Sequence, residues 1–126
     1  MKVLIDTSVW ICYFKSADDR TDLDYLIDNN LVYTNDVILT ELFPFLKLKH
    51  QTSLIELLKG ISTFQLSIDW QQIRDYQYNC LRNGINGVGI PDLIIAQNVI
   101  QNDCVLYSLD RHFRLLLEIL NIKLYD

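Results

Sequence analysis

The chain has 126 residues, of which 50% are hydrophobic and 21% charged, a composition that predicts one globular domain spanning residues 1–126. Its net charge of −5 argues against a module that binds nucleic acid through surface charge alone, but not against an enzyme whose carboxylates surround metal ions. No apolar run is long enough for a membrane span or a secretory leader. Three cysteines without CxxC spacing and only two histidines argue against disulfides and a zinc finger, so we expect a reduced, cytoplasmic protein.

A short apolar run opens the chain and ends on a carboxylate. Residues 3–5 (Val-Leu-Ile) predict a strand buried on both faces, and Asp6, Thr7 and Ser8 follow it directly. The carboxyl ends of central strands form the ligand crevice of an open α/β sheet, so an acid at this point is placed for chemistry. For one isolated acid, however, capping of the next helix is the simpler explanation of Asp6.

Helices and strands are predicted to alternate along the rest of the chain. Hydrophobic spacing, turn residues and caps indicate these boundaries. In the first half, the predicted elements are a helix at 8–14, a polar break at 18–22, a helix around 23–27, a strand at 31–34, a helix capped by Asn35 or Asp36 and disturbed at Pro44, and a helix around 54–61. In the second half they are a strand at 64–68, a helix after Asp69, a helix from Pro91, a strand at 104–108, a helix from Arg111 and a strand at 122–125. The helix after Asp69 is predicted to place Trp70, Ile73, Tyr76 or Gln77, Cys80 and Leu81 inward.

Glu41 is a second candidate acid. It lies early in a helix that follows a strand, which keeps it near the carboxyl edge of the sheet, and its neighbours Leu39, Leu42 and Phe43 are apolar. A charge among such neighbours costs free energy unless it is paired or bound to metal. An ordinary surface glutamate is an equally good explanation of Glu41 taken alone.

The segment 84–96 carries a third acid. Three of the four glycines fall within six residues here, which indicates unusual backbone angles or a close approach. Pro91 suits a first helical position, and Asp92 follows it at the start of a helix that is apolar on almost every side. The helix dipole favours a carboxylate there. The glycine spacing matches neither a Walker loop nor a dinucleotide motif.

The strand predicted at 104–108 repeats the pattern of the first one, because Ser108 and Asp110 follow its apolar run. Strand–helix units throughout predict a parallel sheet with helices on both faces. Asp6, Glu41, Asp92 and Asp110 can then converge on one crevice. Their repulsion has to be offset by cations, and oxygen ligands select Mg²⁺ or Mn²⁺. Metal-assisted hydrolysis of a phosphodiester is the reaction that such a site favours.

The chain resembles PIN-domain proteins, in particular the VapC-type toxin ribonucleases of toxin–antitoxin pairs. The resemblance spans essentially the whole chain and depends on four segments: Leu4-Ile-Asp-Thr-Ser8, Thr40-Glu41, Gly89-Ile-Pro-Asp-Leu-Ile-Ile-Ala96 and Tyr107-Ser-Leu-Asp-Arg-His-Phe113. It implies a PIN-like, Rossmann-like three-layer α/β sandwich with about five parallel strands. It also implies an endoribonuclease that depends on Mg²⁺ or Mn²⁺ and cuts tRNA, rRNA or mRNA.

The resemblance implies roles for individual residues and for partners. Asp6, Glu41, Asp92 and Asp110 match the family's catalytic and metal-binding acids, and Thr7, Ser8 and Ser108 match hydroxyls that support the metal site. A cognate antitoxin and a homodimer are implied as well. An apolar groove for the antitoxin is predicted around Pro44, and RNA contacts are predicted near Asp110. The groove residues are Phe43, Phe45, Leu46 and Leu48; the first RNA-contact candidates are Arg111, His112 and Arg114, followed by Lys47, Lys49, Arg74 and Arg82. Core packing explains the groove residues equally well, and a solvated surface is the simpler explanation of each charged candidate.

Two other functions fit parts of the sequence. A catalytically silent protein could use the same scaffold only to bind a partner, although the presence of all four acids argues against it. A phosphorylation-receiver domain also gathers acids at strand ends. It needs a lysine after the last-but-one strand, where this chain has Ser108-Leu109-Asp110 instead.

Overall fold

The computed structural model of the protein describes residues 1–15 and 21–126, so residues 18–20 of the predicted polar break lie outside the described part. The elements follow one another in an alternating order. They are β1 (Val3–Ile5), α1 (Thr7–Lys15), α2 (Leu23–Asp28), β2 (Val32–Thr34), α3 (Asp36–Leu48), α4 (Thr52–Lys59), β3 (Ser62–Thr63), α5 (Trp70–Arg82), α6 (Ile90–Gln101), β4 (Val105–Tyr107), α7 (Arg111–Leu116) and β5 (Lys123–Leu124).

The strands form one parallel sheet in the order β3-β2-β1-β4-β5. All three residues of the central strand β1 are completely buried, so both faces of the sheet are covered. From β1 the chain proceeds outward to β2 and β3, and then crosses to β4 on the other side of β1. Such a reversal opens a crevice at the carboxyl ends of the two strands it separates. The predicted five-stranded parallel α/β architecture is confirmed.

Helix α6 is buried on nearly all sides, as its apolar sequence predicts. Leu93 and the five residues from Ile95 to Val99 are all buried, including Gln97 and Asn98. A helix this enclosed holds its first turn in a fixed place. Among the described helices, none combines the length and the apolar character needed to cross a membrane.

Pro44 does not disturb α3 as predicted, since the helix continues to Leu48. A proline in a helix lacks the N–H that would bond to the carbonyl four residues earlier. Pro44 lies on the exposed side, however, while Leu42 and Leu46 on the inner side are almost fully buried. Packing of the inner side therefore keeps the helix continuous.

The strand predicted at residues 64–68 is wrong in its position, because β3 comprises only Ser62 and Thr63. Its neighbour β2 ends at Thr34, whose carbonyl accepts a last hydrogen bond from the Phe64 N–H at 2.8 Å. The chain turns into α3 immediately afterwards. Residues 65–68 therefore have no strand to pair with.

The prediction that Trp70 and Leu81 face inward on α5 is also wrong. Their side chains are 52% and 62% exposed, whereas Ile73, Tyr76 and Cys80 are buried. Trp70 and Leu81 lie about three helical turns apart and so share one face, which is turned away from the buried one.

Candidate active site

Asp6 lies at the crevice where the chain order reverses. The register pairs Ile5 of β1 with Tyr107 of β4, so Asp6 and Ser108 are the next residues on two adjacent strands. The Asp6 side chain accepts hydrogen bonds at Oδ2 from the hydroxyls of Ser8 (2.7 Å) and Ser108 (2.9 Å), and a longer one from the Ser8 N–H (3.4 Å). Among the described residues no donor reaches Oδ1. Asp6 is 5% exposed, so a buried carboxylate is held rigidly by one oxygen.

The two serines are themselves oriented by the loop between β4 and α7. The Leu109 N–H donates to Ser8 Oγ at 3.0 Å, and the Asp110 N–H donates to Ser108 Oγ at 3.0 Å. Each hydroxyl oxygen thus accepts a backbone bond, which leaves its proton for Asp6. This arrangement directs two hydroxyl protons to one carboxylate oxygen.

Glu41 reaches the same edge from α3. The helix begins there because the Asn35 side chain caps it, accepting from the Ile38 N–H at 3.0 Å. The Thr7 hydroxyl donates to Glu41 Oε1 at 3.2 Å. The first turn of α1 is therefore tied to the second turn of α3, beside Asp6.

Asp92 and Asp110 each lie at the start of a helix. Asp92, the third residue of α6, accepts from the Gly89 N–H at 3.1 Å. Asp110 caps α7 by accepting from the His112 N–H at 2.9 Å, and its Oδ1 lies 3.2 Å from His112 Nδ1. Both carboxylates are thus fixed by the backbone of the helix that carries them.

The electrostatics show that the four acids face one another. Burial raises the pKa of Glu41 above its usual range, and the charges of Asp6, Asp92 and Asp110 raise it further, while the hydrogen bond from Thr7 lowers it. Glu41 therefore lies within electrostatic reach of these three acids at the carboxyl edge of the sheet.

The pKa of Asp92 shows the same effect. Burial is the largest cause that raises this pKa, and the charges of Asp110 and Asp6 raise it further. The hydrogen bond from the Gly89 N–H and the neighbouring His112 lower it. The repulsion between these carboxylates makes the crevice a place that a cation would stabilise.

The carboxylates do not form a ready-made cage. Within residues 1–15 and 21–126, no three His, Cys, Asp or Glu side chains lie close enough to hold one ion by themselves. A tetrahedral zinc site needs such a set of protein ligands, whereas Mg²⁺ retains several waters and uses one or two carboxylates. An oxygen-only donor set is the kind that hydrated Mg²⁺ or Mn²⁺ prefers.

Of the predicted RNA contacts, His112 lies directly beside the acids. Its ring touches Asp110 on one side and Gly87 on the other, where an added Cβ would lie 3.2 Å from Nε2. Gly87 has a φ of +88°, which favours glycine. Arg111 and Arg114 are exposed on α7, and within the described residues their guanidinium groups form no hydrogen bond or ion pair.

A buried amide pair supports the site and was not predicted. Asn35 Nδ2 donates to Asn98 Oδ1 at 2.9 Å, and both side chains are almost fully buried. Asn98 Nδ2 in turn donates to the Gln65 carbonyl at 3.3 Å. The pair joins the start of α3, which carries Glu41, to α6, which carries Asp92. The one signal in the sequence is Gln97-Asn98 within an otherwise apolar helix.

The sequence model of the PIN domain matches residues 3–116. Among curated proteins, no relative matches the chain.

Several solved structures share the fold at low sequence identity. VapBC2 from Rickettsia felis, bound to a DNA fragment from its promoter, has a TM-score of 0.78 at 20% identity and covers 99% of this chain and 98% of its own. DNA-bound VapBC from Salmonella typhimurium has a TM-score of 0.79 at 16% identity, covering 100% and 98%. VapBC-5 from Mycobacterium tuberculosis, a toxin–antitoxin system, has a TM-score of 0.70 at 18% identity, covering 98% of each chain. The match over residues 3–116, together with the shared fold, shows that this chain belongs to the PIN-domain family.

Proposed function

We propose that the protein is an endoribonuclease that uses Mg²⁺ or Mn²⁺ to hydrolyse RNA phosphodiester bonds. The observation that supports this most strongly is the set of four carboxylates at the carboxyl edge of the sheet, where burial and the charges of Asp6 and Asp110 raise the pKa values of Glu41 and Asp92. Clustered carboxylates at this point of a parallel sheet suit the binding of hard cations and a phosphate ester. Membership of the PIN family agrees with nuclease activity.

In this proposal Asp6, Glu41, Asp92 and Asp110 hold the cations. When bound, such ions lower the pKa of a bound water and neutralise charge on the phosphate. The hydroxyls of Ser8 and Ser108 keep Asp6 oriented, and Thr7 does the same for Glu41. Carboxylates that are preoriented in this way do not have to be ordered during the reaction.

The RNA contacts belong to the start of α7. Arg111 and Arg114 are exposed beside Asp110, and we propose that they bind phosphates next to the cleaved bond, with His112 on the same side. The substrate is then a tRNA, rRNA or mRNA held by a small local patch, since the chain as a whole is acidic.

We further propose that the protein is the toxin of a toxin–antitoxin pair, acting in the cytoplasm as a homodimer. The toxin–antitoxin role is supported by the shared fold with VapBC structures, one of which is described as a member of a family of toxin–antitoxin systems. Of the predicted antitoxin groove, Leu46 belongs to the core, Phe43 and Phe45 are half-buried, and Leu48 is 76% exposed. A hollow of about 290 Å³ beside Phe14, Phe45 and Leu46 offers a place for an antitoxin side chain, with Lys15, Lys49 and Gln51 completing its wall.

Cleavage of RNA tests the activity. Wild-type protein, Asp6→Asn and the control Asp28→Asn are each incubated with tRNA, rRNA and mRNA in Mg²⁺ or Mn²⁺. Asp28 is exposed at the last residue of α2. We expect Asp6→Asn to cut at least about 100-fold more slowly and Asp28→Asn to match the wild type. Equal rates for Asp6→Asn and wild type would exclude the role of Asp6, and an inactive wild type would exclude the activity.

Calorimetric titration with Mn²⁺ tests the metal site without RNA. The wild type is expected to bind the ion and Asp6→Asn to bind it at least about tenfold more weakly. A silent scaffold would show no binding in either protein.

A further inference from the structure

A second feature lies directly beside the acids. A hollow of about 310 Å³ is bounded by α3, the segment between β3 and α5, and the first turn of α6. We refer to it as the α3–α6 hollow. Its lining residues are Asp36, Val37, Thr40, Glu41, Leu66 and Pro91. Since Glu41 belongs both to this hollow and to the acid cluster, the two sites are continuous.

The wall of the α3–α6 hollow is almost entirely apolar. Val37, Leu66 and Pro91 supply carbon surface, and the Thr40 hydroxyl is occupied because it donates to the Asp36 carbonyl at 2.6 Å. None of the six lining residues is cationic, and two are carboxylates. An anionic group such as a phosphate is therefore repelled, whereas a neutral group with an apolar face is accommodated.

We propose that the α3–α6 hollow binds an unpaired nucleobase of the RNA, next to the phosphate that is cut. This inference rests on the proposed ribonuclease function. A phosphate held at the acid cluster lies beside Glu41, and the base of an adjoining nucleotide is attached only one ribose away. The base is neutral and has a flat apolar face, which matches the wall formed by Leu66 and Pro91.

The hollow also limits the form of the substrate. A base in a duplex is stacked and paired, so its face cannot enter a hollow on the protein surface unless it leaves the stack. A protein with such a base site binds single-stranded RNA, and it recognises the base at the cut through apolar contact. Base recognition suits an acidic protein, because binding through a base depends less on phosphate contacts than binding through a basic surface does.

Binding to abasic RNA tests the proposal without relying on cleavage. The probe is a fluorescein-labelled single-stranded oligoribonucleotide, together with a series of copies that each lack one base. Fluorescence anisotropy is measured on Asp6→Asn, which protects the RNA from cutting, with Mn²⁺ at a concentration that saturates its weakened metal site. We expect removal of one particular base to weaken binding roughly tenfold.

Variants of the hollow complete the test. Leu66→Asn, added to Asp6→Asn, is expected to weaken binding of the complete oligonucleotide roughly tenfold and to abolish the effect of the missing base. Val37→Thr, which keeps the side-chain shape but adds a hydroxyl, is expected to act in the same direction more weakly. Leu57→Asn is the matched control, since Leu57 is exposed on α4 and does not line the hollow.

The outcomes separate the two proposals. If every abasic copy binds as well as the complete oligonucleotide, or if Leu66→Asn preserves the difference between them, the hollow does not bind a base, and the proposal is overturned. If one abasic copy binds more weakly but the wild-type protein cuts no RNA, the hollow binds a base and the proposed hydrolysis is wrong. Circular dichroism confirms that each variant is folded.

Discussion

Replacing Ser108 by alanine removes one hydroxyl that makes two hydrogen bonds. Its Oγ donates to the buried Asp6 carboxylate at 2.9 Å and accepts from the Asp110 N–H at 3.0 Å. A hydrogen bond to a charged group contributes about 1.5–3 kcal/mol, and a neutral one about 0.5–1.5 kcal/mol. Ser8 still supports Asp6 at 2.7 Å, so we take the lower ends and expect a loss of about 2 kcal/mol in the free energy of unfolding.

The variant also affects metal binding. Without Ser108 the Asp6 carboxylate loses one of the two hydroxyls that fix its orientation, and removal of such a supporting group lowers metal affinity roughly 10- to 100-fold. Urea unfolding of the metal-free protein measures the first effect and calorimetric titration with Mn²⁺ the second. The midpoint of unfolding should fall at an unchanged m-value.

Ser53→Ala is the matched control, because Ser53 is exposed on α4 and its hydroxyl has no hydrogen-bond partner among the described residues. It should leave both the unfolding free energy and the Mn²⁺ affinity unchanged within about 0.5 kcal/mol. If Ser108→Ala unfolds at the wild-type urea concentration and binds Mn²⁺ equally well, the reasoning that the serines hold Asp6 is refuted.

The raised pKa values of Glu41 and Asp92, the Asn35–Asn98 pair and the close approach of Gly87 to His112 each lead to a further prediction. Because the pKa values of Glu41 and Asp92 are raised, the folded protein retains protons that the unfolded chain loses. In urea titrations without metal, the unfolding free energy should therefore fall as the pH rises above about 4. Mn²⁺ at neutral pH should restore the lost stability. Asn98→Ala leaves the buried side-chain amide of Asn35 without its partner. It should lower the unfolding free energy in urea by about 2–3 kcal/mol and weaken Mn²⁺ binding measured by calorimetry; wild-type values of both would contradict the prediction. Gly87→Ala forces a Cβ against His112 at a positive φ and should cost about 1–2 kcal/mol; an unchanged thermal midpoint would argue against strain there.

The parallel sheet was predictable because its signals are local. Residues 3–5 form an apolar strand that ends on an acid, and residues 105–107 repeat the pattern. Parallel strands meet at one edge, so acids that follow them were expected together before any contact was known. The cap of α5 at Asp69 was predicted for the same reason, and of the two caps predicted for α3, Asn35 and Asp36, the structure has Asn35.

The errors arose where a neighbour decides the structure. Residues 64–68 have a strand-like sequence but no partner, because β2 ends at Thr34. Pro44 looked like a helix disturbance, but it falls on the exposed side of α3, whose inner side packs well. Trp70 appeared to be a core residue, and its exposure depends on which face of α5 meets α6.

By itself the sequence determined the strand–helix order and the four acids at strand ends and helix starts, since those depend on periodicity and caps within short windows. The tertiary structure alone decided how the acids are held. Ser8 bonds to Asp6 locally, but Ser108, which is 100 residues from Ser8, reaches the same oxygen of Asp6 only because β1 and β4 are adjacent. The Asn35–Asn98 bond and the apolar hollow beside Glu41 likewise need helices brought together by the sheet. Contacts between segments distant in the chain are set by packing, which no local pattern of residues records.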